Sequence, residues 1–193
     1  MNETSKMYEI RKTRGDFDKY LNGNGIDIGG GPDCLKVENG TVRLWDLDDG
    51  DGRYLNGVEN ESLDFVYSSH CLEHMTDVKD ALKNWCSKIK KGGHLYVIIP
   101  DFMLYEKGYW PSRFNGDHKF SFSYDLSKDQ VGRQNHYLMS EIFEILKENN
   151  MDLITHELEK YFYSETLHKD IDQTLFPKTI CQIYFVARKK ALN

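Results

Sequence analysis

The stretch Asp64–Met75, DFVYSSHCLEHM, decides how this chain is read. Taken alone, its HCLEH core (His70 to His74) fits H-x-x-E-H, a zinc-peptidase pattern whose two histidines and glutamate share one helix. Taken with what precedes it, the segment is the exit of a buried strand. LDFVYSS (Leu63–Ser69) is a short apolar run with Phe, Val and Tyr at its centre. A helix here means a metallohydrolase. A strand means that His70 stands at the end of a sheet, where α/β proteins bind their ligands.

Working outward, the neighbouring segments favour the strand. DVKDALKNWCSKIKKGG reads as an amphipathic helix with Val78, Ala81, Leu82, Trp85 and Ile89 on one face, Asp77 as its cap and Gly92 ending it in a left-handed turn. HLYVII (His94–Ile99) is a buried strand stopped by Pro100. Upstream, GIDIGGG is a strand running into three glycines, and TVRLWD (Thr41–Asp46) is another, leading into acidic DLDDGDG. Lys6 to Leu21 reads as an irregular helix, and SEIFEILKENN as a helix capped by Ser140 with Ile142, Ile145 and Leu146 inward. MDLITHELEKYF and TICQIYFVARKK read as closing strands. Strands alternating with helices predict a largely parallel sheet with helices on both faces, a three-layer αβα arrangement. No good helix lies between the last two strands, so they predict an antiparallel end. HCLEH is then only a short bridge, His74 a half-buried linker residue, and zinc hydrolysis a minor alternative.

Composition bounds the function. At 193 residues the chain suits a single domain, 1–193, with an N-terminal helical segment over 1–22 and an insertion over 101–135. Asp and Glu total 31 against 25 Lys and Arg, a net charge of −6, which offers no basic surface for nucleic acid. The four cysteines form no C-x-x-C pair and read as free thiols of a cytoplasmic protein. No apolar run is long enough for a bilayer, so no membrane association is expected.

In such a sheet the residues just after each strand carry the chemistry. After the first come Asp27, Ile28, Gly29, Gly30, Gly31, Pro32 and Asp33. Glycine permits a sharp turn and close approach of a ligand, and equally a plain strand-to-helix turn. The dinucleotide fingerprint fails because Cys34 stands where its third glycine belongs, and no Gly-Lys-Ser/Thr follows for a phosphate loop. Asp46 lies 19 residues after Asp27, about where a carboxylate accepts from ribose hydroxyls.

These elements together (IDIGGGPD, WDLDDGDG, SLDFVYSSHCLEHM, IKKGGHLYVIIPD and QIYFVARKK) resemble the class I S-adenosylmethionine-dependent methyltransferases, closest to the small bacterial "type 11" kind. The resemblance runs from about Gly25 to the end and implies a Rossmann-like fold with S-adenosylmethionine as cofactor. It implies that Gly29, Gly30 and Gly31 admit the donor's amino-acid portion, with Asp27 contacting its ammonium. Asp46 and Leu47 would hold the ribose, Asp51 and Gly52 the adenine, and Ser68, Ser69 and His70 the wall facing the methyl. The stretch between Asp46 and Leu63 is short, so the family's usual helix and strand there are expected to be trimmed. SSHC stands where amine-methylating members often carry Asn/Asp-Pro-Pro-Tyr/Phe, which speaks against that subclass.

Acceptor contacts are expected from the 101–135 insertion, which holds Tyr105, Tyr109, Trp110, Phe114, Phe120, Phe122 and Tyr124. Within it, Asp117 is expected to orient His118 as the base, with His70 and Asp101 as further catalytic candidates. Asp101, Asp117 and His118 together also have the ligand types for a divalent metal, but one such triad in a long loop does not define a site, and no metal is assigned. The resulting expectation is an O-methyltransferase acting on a small molecule, a sugar or cell-surface glycan precursor. The alternatives are a non-catalytic donor-binding module or a zinc hydrolase. Neither the acceptor nor the oligomeric state is legible.

Overall fold

The computed structural model describes residues 3–131 and 135–191; residues 1–2, 132–134 and 192–193 of the expected domain and insertion lie outside the described residues. The strands are β1 (Gly23–Ile28), β2 (Gly40–Trp45), β3 (Leu63–Ser69), β4 (Ile89–Pro100), β5 (Ser121–Ser123), β6 (His136–Leu138), β7 (Met151–Tyr161) and β8 (Ile180–Lys189). Six of them form the central sheet in the order β2-β1-β3-β4-β8-β7, and β5 and β6 pair separately. The first four run parallel, and β8 is antiparallel to both β4 and β7. The Rossmann-like, mostly parallel sheet with an antiparallel terminal strand is therefore present. Leu95 to Ile99 of β4 are all buried because the strand is covered on both faces.

The helices are α1 (Glu3–Lys6), α2 (Tyr8–Arg14), α3 (Asp16–Lys19), α4 (Val78–Lys88), α5 (Lys128–Val131) and α6 (Met139–Glu148). The helices α4 and α6 cover one face, where Val78, Leu82, Trp85, Ile142 and Leu146 join Ile26, Ile28, Val66, Val97 and Phe185 in the main core. On the other face Phe17 and Leu21 pack against Phe65, Tyr67, Tyr96 and Ile98. A polar chain ties this layer to the sheet. Arg14 donates to Glu159 (2.6 Å) and to the Tyr96 hydroxyl (2.9 Å), and Gln182 donates to the same Glu159 carboxylate (2.6 Å).

Several local expectations are corrected. The N-terminal helix is broken into α1, α2 and α3, the last break falling at Gly15 with φ of 72°. Asp77 caps α4 by accepting from the Asp80 N–H, but the helix ends at Lys88, before Gly92. Ile89 is extended and pairs with Leu63 of β3, so sheet pairing outcompetes another helical turn. Ser140 does not cap α6; it lies inside the helix, and Glu141 accepts from the Leu138 N–H instead (2.8 Å). Between Trp45 and Leu63 the chain makes only a 3-10 turn, Leu47–Asp49, and further turns. Among the described residues no helix is long and apolar enough to cross a membrane.

Candidate active site

The strand β1 pairs with β2 on one side and β3 on the other, and the connections leave in opposite directions. This is the switch point at which α/β sheets open a crevice at the strand carboxyl ends. Gly29 forms its floor with φ of 77°, donating its N–H to the Trp45 carbonyl (2.8 Å). A Cβ at Gly29 would stand 2.5 Å from the Cys71 sulfur, and one at Gly30 would stand 2.4 Å from Asp27 Oδ2. Any side chain here would displace the turn.

Two depressions meet at Gly29. The smaller is an apolar slot of about 70 Å³ between Ile28, Trp45, Leu47, Gly50, Gly52 and Met75, with Asp46 at its edge. The larger, about 270 Å³, runs from Gly29–Gly31 past Ser69 and His70 to Glu73, Tyr105 and His118, with Glu3 and Thr4 of α1 on its rim. An apolar slot beside a carboxylate, joined across glycines to a polar cavity, fits a nucleoside linked to an amino acid.

Most donor-side candidates gather here. Asp27 is fully buried; Oδ2 accepts from the Leu35 N–H (2.7 Å), while Oδ1 has no hydrogen-bond partner among the described residues. Burial pushes its carboxyl up to about 6, with the Leu35 N–H and the Cys34 thiol pulling the other way. Asp46 accepts from the Leu47 N–H (2.8 Å) and lies across from Gly31. Ser69 and His70 line the cavity, but the Ser68 hydroxyl turns back to the Ile28 carbonyl (3.4 Å). Asp51 departs from expectation. Both its oxygens are taken by Arg53 (2.7–3.2 Å), which holds its carboxyl below the usual range, and it does not line the slot.

The acceptor side is rearranged more. Asp101 is buried and accepts three backbone N–H groups, from Met103, Leu104 and Tyr124, so it builds a turn and is removed from the candidate bases. Asp117 does not orient His118; it pairs with His74 Nδ1 at 3.0 Å. The partner of His118 Nδ1 is Glu106, at 2.6 Å, which sequence reasoning missed because 12 residues of irregular loop separate them. Of the insertion's aromatics, Tyr105 walls the cavity and packs on His118, whereas Phe122 is buried in the main core.

The centre of this wall is Glu73, which is 0% exposed. The 3-10 turn Leu72–His74 turns it inward from the β3 exit. Its Oε1 lies 3.6 Å from His70 Nδ1, 3.9 Å from His118 Nε2 and 4.0 Å from His74 Nε2, all too far for hydrogen bonds. Neither oxygen has a hydrogen-bond partner among the described residues. Burial pushes the carboxyl up, but the imidazoles, His70 foremost, more than offset it, and the net direction is down. Burial likewise lowers His70, and Glu73 more than restores it, for a net rise. His70 reaches the opposite face through Gln182 (Nε2 to Oε1, 3.0 Å).

Comparison with known proteins agrees with this architecture. Residues 25–97, from β1 into β4, match the model of a methyltransferase domain. No curated protein matches the chain in sequence. In structure it is similar to an S-adenosylmethionine-dependent methyltransferase from Methanosarcina mazei, at 12% identity over 89% of this chain and 94% of that one, with a TM-score of 0.55. A protein from Bacillus halodurans assigned as a methyltransferase gives 14% identity over 95% and 100%, with a TM-score of 0.58. The [4+2]-cyclase SpnF gives 13% over 94% and 82%, with a TM-score of 0.57. The sequence match is confined to residues 25–97, and the likeness in fold extends over most of the chain. The fold is that of the S-adenosylmethionine-dependent methyltransferases.

Proposed function

We propose that the protein methylates a hydroxyl of a small polar acceptor, a sugar or glycan precursor, in the cytoplasm. The observation that carries this reading is the imidazole–carboxylate wall facing Gly29–Gly31 across the larger cavity. A hydroxyl must lose its proton as it attacks, whereas an unprotonated amine need not, and this wall holds histidines placed to take that proton. Four free thiols suit a reducing compartment.

Bound S-adenosylmethionine supplies an electrophilic methyl on a sulfonium; the chain's own residues position and deprotonate. In this reading Gly29, Gly30 and Gly31 admit the amino-acid portion, Asp27 faces its ammonium, Asp46 and Leu47 hold the ribose, and Gly52 borders the adenine. Asp51 serves only after releasing Arg53. Ser68 shapes the β3 end, and Ser69 and His70 face the methyl. His118 is the base, with Glu106 holding Nδ1 so that Nε2 faces the cavity. The test is S-adenosylhomocysteine release with sugars and nucleotide sugars against amines of similar size. Turnover with sugars and not amines is expected; turnover with amines alone would overturn the acceptor class, and none with either would favour a donor-binding module.

Asp27 makes the donor site pH-dependent. Its carboxyl sits at about 6, above the ordinary value of 3.8. In the free protein its contribution to stability is full below the ordinary value and is lost as pH rises to about 6. Binding a cationic ammonium favours the ionised form, so affinity takes the opposite slope. Titration calorimetry is expected to show S-adenosylhomocysteine binding tighten about tenfold per pH unit below about 6 and level off above about 7. Asp27→Asn should flatten that profile. A flat profile in the unaltered protein would remove Asp27 from the donor contacts.

A further inference from the structure

We infer that Glu73, His74 and His118 form a divalent transition-metal site on the wall of the larger cavity. The ligand atoms, one carboxylate oxygen and one ring nitrogen from each histidine, lie within 4.8 Å of one another. Glu73 is fully buried, and neither of its oxygens has a hydrogen-bond partner among the described residues. A buried carboxylate without hydrogen bonds is costly, and a cation in its midst is the natural compensation.

The surroundings have the organisation of a ligand shell. A metal-binding imidazole normally gives its other nitrogen to a carboxylate or carbonyl, which fixes tautomer and ring orientation. Both histidines do so: His118 Nδ1 with Glu106 at 2.6 Å, and His74 Nδ1 with Asp117 at 3.0 Å. His118 Nε2 then stands 3.9 Å and His74 Nε2 4.0 Å from Glu73 Oε1. Tetrahedral binding at about 2.1 Å places ligand atoms about 3.4 Å apart, so the cluster must draw in by roughly 0.5–1.4 Å. His74 sits on a short 3-10 turn, its side chain 27% exposed, and His118 on a loop, so both can move.

Two imidazoles and a carboxylate suit Zn²⁺ and its first-row neighbours, whereas Mg²⁺ and Ca²⁺ prefer all-oxygen sets. HCLEH is thus a metal motif after all, though not the peptidase one. Its glutamate is a ligand rather than a base, and its third ligand comes from the loop ending at His118. The His70 ring closes the cluster from the donor side, 3.6 Å from Glu73. With an ion bound, His118 Nε2 is a ligand and no longer the base; on the methyl-transfer reading the ion would polarise the acceptor oxygen and His70 would take its proton.

The test is calorimetric titration of the chelator-treated full chain with zinc chloride, with Co²⁺ added in parallel for its visible ligand-field bands. One equivalent is expected to bind. Glu73→Gln, His74→Ala and His118→Ala should each weaken binding by more than about 100-fold, and Glu106→Gln by about 10–100-fold. Failure of the unaltered chain to bind one equivalent, or undiminished binding by Glu73→Gln, would overturn the site. A thermal shift with S-adenosylhomocysteine on every sample shows that each variant is folded and tests the donor reading separately. Shift without zinc binding sinks the metal site alone, and zinc binding without a shift leaves the metal site standing and sinks the donor reading.

Discussion

His118→Ala is expected to lower turnover by about 10²–10⁴-fold, the usual contribution of a positioned acid–base group, while S-adenosylhomocysteine affinity stays nearly unchanged. The split follows from position. His118 is 8% exposed and borders the larger cavity, while the nucleoside slot at Asp46, Leu47 and Gly52 lies on the far side of Gly29. The loss is expected whether Nε2 takes the acceptor proton directly or holds an ion that polarises the acceptor oxygen, since the same lone pair serves either role. Glu106→Gln should give a smaller loss, because the imidazole keeps a hydrogen-bond partner but not a charged one (Nδ1 to Oε1 is 2.6 Å). Steady-state kinetics with calorimetry on both variants reads this out. Unchanged turnover in His118→Ala would remove the cluster from the chemistry.

Trp85→Ala is expected to destabilise the fold by about 3–5 kcal/mol, the range for deleting a buried aromatic side chain. Trp85 is fully buried on the inward face of α4, within the core that joins α4 and α6 to the sheet. Its Nε1 donates to the Gly52 carbonyl at 2.7 Å, so the same residue also holds the loop closing the apolar slot. For a domain of this size the midpoint should fall by roughly 6–20 °C. Trp85→Phe keeps most of the packing and loses that hydrogen bond, so it should cost less stability yet still weaken nucleoside binding. Denaturant melts with and without S-adenosylhomocysteine separate the two effects. A cost below about 1 kcal/mol for alanine would mean that the core closes around the gap.

How much of this was legible depends on the range of the interactions. LDFVYSS reads as a strand because its apolar run needs no distant information, and β3 spans those seven residues. The helix boundaries were less legible. Gly92 has the left-handed φ of a helix stop (81°), yet α4 ends earlier because Ile89 has a strand partner in Leu63. A long-range pairing decided a local boundary. Asp101 shows the same limit from the site. An acid after a strand suggests a base, but three backbone N–H groups hold it in a turn. Glu73 carries no signal in the sequence beyond its place in HCLEH, and its setting comes from His118, 45 residues on.

The sequence by itself determined the six strands of the central sheet and the helices α4 and α6 in their order along the chain, the glycine turn after β1, the acid after β2 and the antiparallel finish. These follow from hydrophobic period, glycine and spacing, all short-range properties of the chain. The short β5, β6 and α5 were not legible. Tertiary structure alone decided which acid serves which histidine. Asp117 went to His74, Glu106 to His118, and Glu73 to a buried position among the imidazoles. Such pairings depend on where an irregular loop comes to rest against the end of a strand, and that is set by packing across the whole sheet.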